Sequence, residues 1–406
     1  MGYIVYDTES KKVVVEQNAD QRFIPASVGK IPSVLAALSI LGPNYRFKTV
    51  LATDGVRRGS ILKGNLYLVG GGDPFLTLAD IMVLVQRLKD KGISKVEGSF
   101  YFDESFFVSR PAIDLDIDQD SSFNPGVSAL SSEFNRYYLN RKKLPVKQPG
   151  LFTANLFRQM AAFEGIRLEL PENGSLPKRS TSLIEYESPA LVQLAGGILE
   201  YSNNLMAELV QLAAARKLVG KALSQEDAAA EIAAWYRKNI QGVSWDGFDY
   251  KRGSGDANPV MTPRQILAIL KWGSEKRFLD RSLMSLLPIS GWKGSLLERM
   301  SGPSTSLRVW AKTGTMSFGT SLAGYFYSQS GKKYIFALLC TDLAMRQLYE
   351  AVHRRYWNTI AQNVALDSSG DFSGISPADT SAQGKQWATD SRNLMDGLLR
   401  KWINTL

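Results

Sequence analysis

The chain has 406 residues, with 48 Lys and Arg against 39 Asp and Glu, a formal net charge of +9, one His and one Cys. This length predicts two or three domains, and the single Cys and single His exclude an internal disulfide and the usual tetrahedral zinc site. A Ser-His-Asp enzyme would have to use His353, which is predicted in a helix. A Cys-His enzyme would also need Cys340, which is predicted in a buried strand. If the protein is a hydrolase, we therefore expect a base other than histidine.

The first 45 residues predict two strands and a helix. The strands, at 3–7 and 13–17, are joined by a polar turn, and the helix opens near PASVGK and ends at Gly42-Pro43. From residue 45 the pattern changes to short strand-like runs, interrupted by one helix at 78–91. This texture predicts a separate β-rich unit that continues to about residue 180.

The remainder of the chain predicts helices followed by three strands and further helix. Ser188-Pro189 is a typical helix start, with Ser at the cap and Pro at the first helical position. The predicted helices are 189–200, 204–219, 226–238, 263–271, 279–287 and 344–365, and the predicted strands lie in 307–314, 320–329 and 332–342.

The C-terminal tail predicts a Ser/Gly/Asp-rich linker at 365–385 and a short amphipathic helix at 391–406. Leu394, Leu398, Trp402 and Ile403 are predicted on one face of that helix. Docking of this face onto the body is the simpler interpretation, and a membrane-surface or partner helix is the alternative.

These elements predict a mixed α/β (α+β) fold. A discontinuous domain, 1–45 and 181–406, would place N- and C-terminal strands in one antiparallel sheet flanked by helices, with 366–406 as linker and terminal helix. An inserted β-rich domain would occupy 46–180. No apolar run approaches the length of a membrane span, and no signal peptide is recognised, so an export signal is expected to have been removed.

Ser27-Val28-Gly29-Lys30 is the first candidate for chemistry. The spacing i, i+3 places Ser Oγ and Lys Nζ on one face at a helix start, where a neutral lysine can remove the serine proton without histidine. The S-x-x-K pattern is weak alone, because it recurs at Ser60, Ser175, Ser290 and Ser330. A helix-capping serine beside a solvated lysine is the alternative.

Two later motifs complete a set. Ser202-Asn203-Asn204 lies between two predicted helices, where a capping serine is the alternative. The segment Lys312-Thr313-Gly314-Thr315, with the only K-T-G of the chain, ends an apolar strand; Lys and Thr there can bind a carboxylate, and a strand-end turn is the alternative. In this order and on these elements, the three motifs are the constellation of penicillin-recognising serine enzymes.

The chain resembles the penicillin-binding protein 4 type of D-alanyl-D-alanine carboxypeptidase/endopeptidase over about residues 3–364. The matching segments are PASVGK, LGPNYRFKT, NLYLVGGGDPFLT, VEGSFYFDESFF, ESPALVQLAGGILEYSNN, RGSGDANPVMTPRQIL and VWAKTGTMS. The resemblance implies that Ser27 is the acylated nucleophile and Lys30 its base. It also implies that Ser202 and Asn204 relay protons and hold the substrate amide.

The resemblance assigns substrate binding to the K-T-G strand. Lys312, Thr313 and Thr315, with Gly314 between them, would bind the terminal D-Ala carboxylate, and the amides of Ser27 and Thr315 would form the oxyanion hole. Asp103 and Met316 stand at positions that, together with an arginine, hold the diaminopimelate side chain in this family. No metal or other cofactor is implied.

Four departures from the family pattern bear on these expectations. Pro32 follows Lys30 inside the predicted helix, which predicts a kink. Asn258 stands in the position of the arginine, which weakens the expected recognition of the diaminopimelate carboxylate. Residues 31–201 are also fewer than the largest members have between these motifs, and the tail after about residue 365 has no recognised counterpart.

The other patterns predict no second site. Gly70-Gly71-Gly72-Asp73-Pro74 lacks nucleotide-binding spacing and reads as a tight turn. The alternating acids Asp114, Asp116, Asp118 and Asp120 lack the Gly and Glu of a calcium loop, so a solvated loop or an active-site rim is expected. Tyr201-Ser202-Asn203 fits the Y-x-N of class C β-lactamases one residue out of frame, and the large insert argues against that class.

The sequence therefore predicts a periplasmic serine DD-peptidase that acts on peptidoglycan stem peptides and is trapped by β-lactams. The alternatives are a β-lactamase and a non-enzymatic peptidoglycan-binding scaffold. The basic balance allows attraction to nucleic acid, anionic lipid or an anionic wall polymer. Because Lys and Arg are spread along the chain, no nucleic-acid partner is expected. Peripheral membrane or wall association through the basic surface or the C-terminal helix is the alternative interpretation of the charge.

Overall fold

The structure is a computed structural model that describes residues 1–117, 121–361 and 377–406. Asp118 and Asp120 of the predicted acidic loop, and the predicted linker up to residue 376, lie outside the described residues.

The chain divides into two compact units. The first contains Met1–Leu38, Ala195–Asn203 and Ala229–Leu406, and the second contains Ser39–Leu194 and Asn204–Ala228. The predicted insert at 46–180 falls within the second unit, and its limits stay a prediction.

Helices and strands are distributed over both units. The α-helices are α1 (Lys30–Leu41), α2 (Leu78–Asp90), α3 (Pro149–Phe163), α4 (Leu191–Tyr201), α5 (Asn204–Val219), α6 (Gln225–Asn239), α7 (Pro263–Ser274), α8 (Leu343–Ala361) and α9 (Pro377–Thr405). The strands are β1 (Gly2–Asp7), β2 (Lys12–Gln17), β3 (Lys48–Thr53), β4 (Val56–Arg58), β5 (Ile61–Lys63), β6 (Leu66–Gly70), β7 (Lys95–Val96), β8 (Phe100–Asp103), β9 (Arg136–Leu139), β10 (Lys142–Pro145), β11 (Pro171–Asn173), β12 (Thr181–Glu187), β13 (Val309–Met316), β14 (Gly319–Tyr327) and β15 (Lys333–Thr341).

The first unit is built on a five-stranded sheet in the order β13-β14-β15-β1-β2, with every neighbouring pair antiparallel. Helix α7 packs against β15 and β1, and the Tyr325 hydroxyl on β14 donates to the Leu270 carbonyl of α7 at 2.9 Å. Helix α9 packs against β13 and β14 through a core that contains Leu322, Phe326, Leu399 and Trp402. The predicted sheet that unites N- and C-terminal strands between helices is confirmed.

The second unit contains a five-stranded mixed sheet in the order β11-β8-β6-β3-β12. Strands β11, β8 and β6 are parallel neighbours, and β6, β3 and β12 are antiparallel neighbours. Leu84 and Leu88 of α2 and Ala154 and Phe157 of α3 enter its core, which also contains Phe100 of β8. The mixed α/β fold class is thereby confirmed, and the inserted β-rich domain stays a prediction.

The kink predicted at Pro32 rested on an interior proline, and that premise is wrong. Ser27–Gly29 forms a separate 3-10 turn, and the α-helix begins at Lys30. Pro32 therefore lies in the first helical turn, where a missing backbone N–H removes no intrahelical bond.

The predicted helix at 279–287 is also wrong. Leu279 has a φ of 60°, outside the right-handed helical region, and only the 3-10 turn Met284–Leu286 forms before Pro288. A β-bridge between Phe278 and Arg281 closes the preceding turn instead.

The terminal helix starts earlier than predicted. Helix α9 begins at Pro377, inside the predicted linker, and runs to Thr405. Trp402 and Ile403 are buried as predicted, whereas Leu394 is 54% exposed and does not belong to the packed face. The apolar face of α9 is thus packed into the core of the first unit.

None of the helices within the described residues is both long and apolar enough to cross a bilayer.

An ion pair ties α9 to its unit. Arg299 Nη2 lies 2.6 Å from Asp396 Oδ1, and both side chains are largely buried. We expect Asp396→Ala to lower the free energy of unfolding by about 2–3 kcal/mol, because it leaves the Arg299 charge uncompensated. Denaturant unfolding measures this loss.

The control is Asp280→Ala. It removes an ion pair with Arg281 that is 3.7 Å long and mostly exposed, and we expect the free energy of unfolding to change by less than about 1 kcal/mol. Equal losses in the two variants would contradict the prediction.

Candidate active site

The Ser27 turn is held in an unusual backbone conformation. Ala26, directly before Ser27, has a φ of 45° and a ψ of −137°. The amides of Val28 and Gly29 donate to the carbonyls of Pro25 and Ala26, each at 3.1 Å. A non-glycine residue in this region is strained and persists only where surrounding contacts fix it, as is common at functional sites.

Lys30 is the partner of Ser27. Its side chain is fully buried, and Nζ lies 2.8 Å from Ser27 Oγ and 2.5 Å from the Ser254 carbonyl oxygen. The 3-10 turn and the first turn of α1 bring the i, i+3 pair together, as the sequence predicts. The serine hydroxyl therefore has a nitrogen base within hydrogen-bond reach, which is the geometry of an activated nucleophile.

A loop at 253–256 supports this turn, and the sequence did not predict this contact. Besides the Ser254 carbonyl, the Gly253 carbonyl accepts from Ser33 Oγ at 2.8 Å, and the Asp256 carbonyl accepts from the Ala26 amide at 3.2 Å. The only signal in the sequence was the paired glycine of RGSGD. This pattern indicates close backbone approach but does not identify the opposing segment.

Gly255 is where that approach is tightest. It has a φ of +114°, and an added Cβ would lie 1.9 Å from the Ala26 carbonyl oxygen. We expect Gly255→Ala to lower the unfolding free energy by roughly 2–4 kcal/mol and to slow acylation, because the Ala26 peptide must move. Thermal unfolding and penicillin labelling measure the two effects.

The matched control for Gly255 is Gly331→Ala. Gly331 also has a positive φ, +85°, but an added Cβ meets nothing within 4 Å. The Gly331→Ala variant should have a free energy of unfolding only about 1 kcal/mol lower, from backbone strain, and should keep the acylation rate of the parent. If both variants behave alike, the close approach at Ala26 is unimportant.

Strand β13 carries the K-T-G motif along the edge of the sheet and packs against the Ser27 turn. An added Cβ on Gly314 would lie 2.7 Å from the Pro25 carbonyl oxygen and 2.2 Å from Ser321 Oγ. Ser321 Oγ in turn donates to Pro25 O at 2.5 Å. Glycine is therefore required here, because the nucleophile turn lies directly on the strand.

The outer edge of β13 is open beside the motif. Val309 and Ala311 direct backbone groups outward, since Val309 O accepts from the Ser290 amide and the Ala311 amide donates to Pro288 O. The two-residue period of a strand gives Thr313 and Thr315 the same orientation. Within the described ranges no strand pairs with this part of β13, so the Thr315 amide points away from β14 with no strand opposite it.

Lys312 is fully buried, and its Nζ donates to the Thr313 carbonyl at 2.8 Å. Burial lowers the pKa of Lys312 to about 7. Thr313 Oγ1 donates to Ser295 Oγ at 2.8 Å. A buried amine without a carboxylate salt bridge among the described residues is suited to receive an anionic ligand.

This pKa predicts a pH effect on substrates that bear a carboxylate. The protonated form of Lys312 predominates below pH 7 and is lost above it, so kcat/KM for such a substrate should fall as the pH rises through about 7. The same peptide with a terminal amide separates this effect from the titration of other groups and should lack that fall. Identical pH profiles for the two peptides would contradict a carboxylate-binding role.

Ser202 lies in the first unit between α4 and α5, with a φ of 56°. A serine in the left-handed region is strained, as at Ala26. Asn204 begins α5 in the second unit, where its Nδ2 donates to the Phe123 carbonyl at 3.1 Å. The catalytic roles predicted for both residues stay predictions.

The residues predicted for side-chain recognition occupy different settings. Asp103 is buried in the second unit, where its carboxylate accepts from the amides of Ser105 at 2.9 Å and Leu176 at 2.7 Å. Met316 ends β13. Asn258 Nδ2 donates to Asp256 Oδ1 at 3.1 Å and thus belongs to the loop beside Lys30. The predicted binding roles of Asp103 and Met316 stay predictions.

Known proteins similar to this chain share both its sequence pattern and its fold. The model of the D-Ala-D-Ala carboxypeptidase 3 (S13) family matches residues 1–147 and 141–355. D-alanyl-D-alanine carboxypeptidase DacB of Haemophilus influenzae is 22% identical, over 83% of this chain and 84% of its own length. D-alanyl-D-alanine carboxypeptidase of Actinomadura sp. strain R39 is 23% identical, over 82% of this chain and 76% of its own.

Solved structures of similar fold belong to proteins of the same kind as these relatives. The crystal structure of penicillin-binding protein 4 from H. influenzae matches with a TM-score of 0.76 and 20% identity, over 88% of this chain and 96% of that one. The penicillin G-acylated predatory endopeptidase Bd3459 of Bdellovibrio bacteriovorus matches with a TM-score of 0.52 and 19% identity, over 89% and 91%. The resemblance seen in the sequence is confirmed, and the chain belongs to the D-Ala-D-Ala carboxypeptidase 3 (S13) family.

Proposed function

We propose that this chain is a serine DD-peptidase that hydrolyses peptidoglycan stem peptides through an acyl-enzyme on Ser27. The observation that carries the proposal is the position of Lys30 Nζ, 2.8 Å from Ser27 Oγ, in a turn packed against the K-T-G strand. Family membership supplies the reaction class, D-Ala-D-Ala carboxypeptidase.

Acylation follows from this geometry. Lys30 Nζ takes the Ser27 proton while Oγ attacks the carbonyl carbon of the penultimate D-Ala. The amides of Ser27 and Thr315 stabilise the oxyanion, and collapse of the tetrahedral intermediate expels the leaving amine, which gains a proton. By the family motif, Ser202 relays that proton and Asn204 holds the substrate amide.

Substrate binding uses the edge of β13. A stem peptide can pair as an added strand with the outward backbone groups of Thr313 and Thr315. The buried Lys312 ammonium and the threonine hydroxyls then receive the terminal carboxylate. Water hydrolyses the ester in the second half-reaction. A β-lactam also acylates Ser27 Oγ, but the resulting ester of the opened lactam is hydrolysed slowly.

The leaving group separates two activities of one site. It is D-Ala in a carboxypeptidase, or the side-chain amine of a cross-linked residue such as diaminopimelate in an endopeptidase. By the family pattern, Asp103 and Met316 would contribute to recognition of that side chain. Because Asn258 stands where the family pattern has an arginine, we expect weak selection for the diaminopimelate carboxylate.

Digestion of purified peptidoglycan, followed by chromatography of the muropeptides, tests the proposal. Loss of terminal D-Ala or conversion of cross-linked dimers to monomers, each blocked by penicillin, is the expected result. Binding of peptidoglycan without either product would instead support a non-enzymatic scaffold. Sustained nitrocefin turnover would support a β-lactamase, since a DD-peptidase should give one burst.

The substrate also implies a location. The curated relatives are bacterial carboxypeptidases, and the proposed substrate lies outside the cytoplasmic membrane. We propose that the chain works after export, in the periplasm. Fractionation of cells that produce it, with the penicillin-labelled band followed by gel, checks this location.

A further inference from the structure

A small basic hairpin in the second unit has no role in the reaction above. Within the part of the chain that the structure describes, strands β9 and β10 pair only with each other, as a two-stranded sheet. No acidic residue occurs between Glu133 and Glu164. The cations of the hairpin and its flank are Arg136, Arg141, Lys142, Lys143 and Lys147. Positive charge is therefore concentrated at this hairpin, although Lys and Arg are spread along the chain as a whole.

The base of the hairpin is anchored and its tip is exposed. The Tyr137 ring packs against Phe152 of α3, with 6.3 Å between centroids. Towards the tip, Tyr138 is 71% exposed and Leu139 is 53% exposed, although both are large and apolar. Lys143 Nζ lies 5.7 Å from the Tyr138 ring, so cation and ring form one amphipathic surface.

The turn between β9 and β10 has a strained backbone and carries a charged residue. Asn140 and Arg141 have φ values of 48° and 64°, as in a two-residue type I′ turn. Glycine is the usual second residue of that turn because it adopts positive φ without a steric penalty. Arginine at this position is strained, and it places a cation at the outermost point of the hairpin.

We propose that the hairpin tip docks on an anionic phospholipid surface. Paired residues share one face of a ribbon, so Leu139 with Lys142 lies on one face and Tyr138 with Lys143 on the other. Both faces therefore carry an apolar body and a cation. A groove-bound polymer would contact one face, whereas a tip seated among lipid headgroups is surrounded on both, with tyrosine and lysine at their preferred depth.

Sedimentation of the full chain with vesicles tests the proposal. We expect binding to vesicles of phosphatidylglycerol and phosphatidylcholine, little binding to phosphatidylcholine alone, and weakening by salt. R141G/K142Q should reduce the partition coefficient roughly 25-fold, since each of the two cations near an anionic surface contributes about fivefold. Because glycine suits the turn, this variant should keep its thermal midpoint and its penicillin labelling.

K11G/K12Q is the matched control. Lys11 also has a positive φ, 57°, and both lysines are exposed at the β1–β2 turn. This variant should bind vesicles within about twofold of the parent, because its charges lie outside the hairpin. An equal loss of vesicle binding in both variants would show that only the net charge of the protein matters, and it would overturn the proposal.

Two further outcomes decide the identity of the surface. Y138S/L139S should weaken vesicle binding even at physiological salt, because it removes the apolar part of the contact. Binding to purified cell-wall sacculi but not to anionic vesicles, abolished by R141G/K142Q, would assign the tip to a wall polymer and overturn the lipid proposal.

Discussion

Replacing Ser27 with alanine is expected to abolish covalent labelling by a fluorescent penicillin and all release of D-Ala or muropeptide monomers. The ester forms on Ser27 Oγ, and alanine leaves no atom to acylate. A loss of at least about a thousandfold is expected, consistent with removal of a catalytic nucleophile. In-gel fluorescence and muropeptide chromatography measure it, and an unchanged thermal midpoint shows that the fold is intact.

The chain contains its own control for this experiment. Ser60 also begins an S-x-x-K pattern, with Lys63, but it is exposed in the turn between β4 and β5 of the second unit. Ser60→Ala should label as strongly as the parent. If Ser27→Ala retains labelling, or if Ser60→Ala loses it, the assignment of the nucleophile is wrong.

Replacing Lys30 with methionine should slow acylation about 10²- to 10⁴-fold, the usual contribution of a positioned general base. Methionine matches the length of the side chain but lacks the nitrogen that reaches Ser27 Oγ and the Ser254 carbonyl. Stopped-flow acylation with nitrocefin gives the rate. Because the Ser254 carbonyl also loses its donor, a loss of stability of about 1–3 kcal/mol is expected alongside.

Lys63→Met is the comparison for Lys30. It removes the lysine of the unrelated S-x-x-K pattern at an exposed position and should change neither rate nor stability. An acylation rate within tenfold of the parent for Lys30→Met would show that another group takes the serine proton.

Local pattern was sufficient to predict the parts of the site that lie close in sequence. Ser27 and Lys30 are three residues apart, and the apolar run after them identified the helix on which Lys30 lies. The alternating run that contains Lys312 likewise identified β13, and its pairing with β14 followed from the next run. In each case hydrophobic periodicity and spacing carried the information.

What escaped prediction depends on contacts between distant residues. The Ser254 carbonyl that receives Lys30 Nζ is 224 residues away in the chain. Nothing near Ser27 predicts that Gly255 must pass so close to Ala26. The early start of α9 was missed because 377–385 follows a Ser/Gly/Asp-rich run and itself contains Pro, Asp, Thr, Ser and Gly, which have low helix propensity. In the folded unit, however, Gly384 packs closely on Ser317 and Phe318.

The order of strands in the first sheet has a consequence for when the active site can form. Strand β1, near the start of the chain, pairs with β15, and Gly2 lies opposite Leu339. Gly314 and Ser321, which hold the Ser27 turn, follow Ser27 by 287 and 294 residues (314 − 27 and 321 − 27). The nucleophile is thus synthesised well before the strands that fix its turn. A chain arrested before β14 would contain Ser27 and Lys30 yet could not be acylated at the native rate, so penicillin labelling reports on completed folding as well as on chemistry.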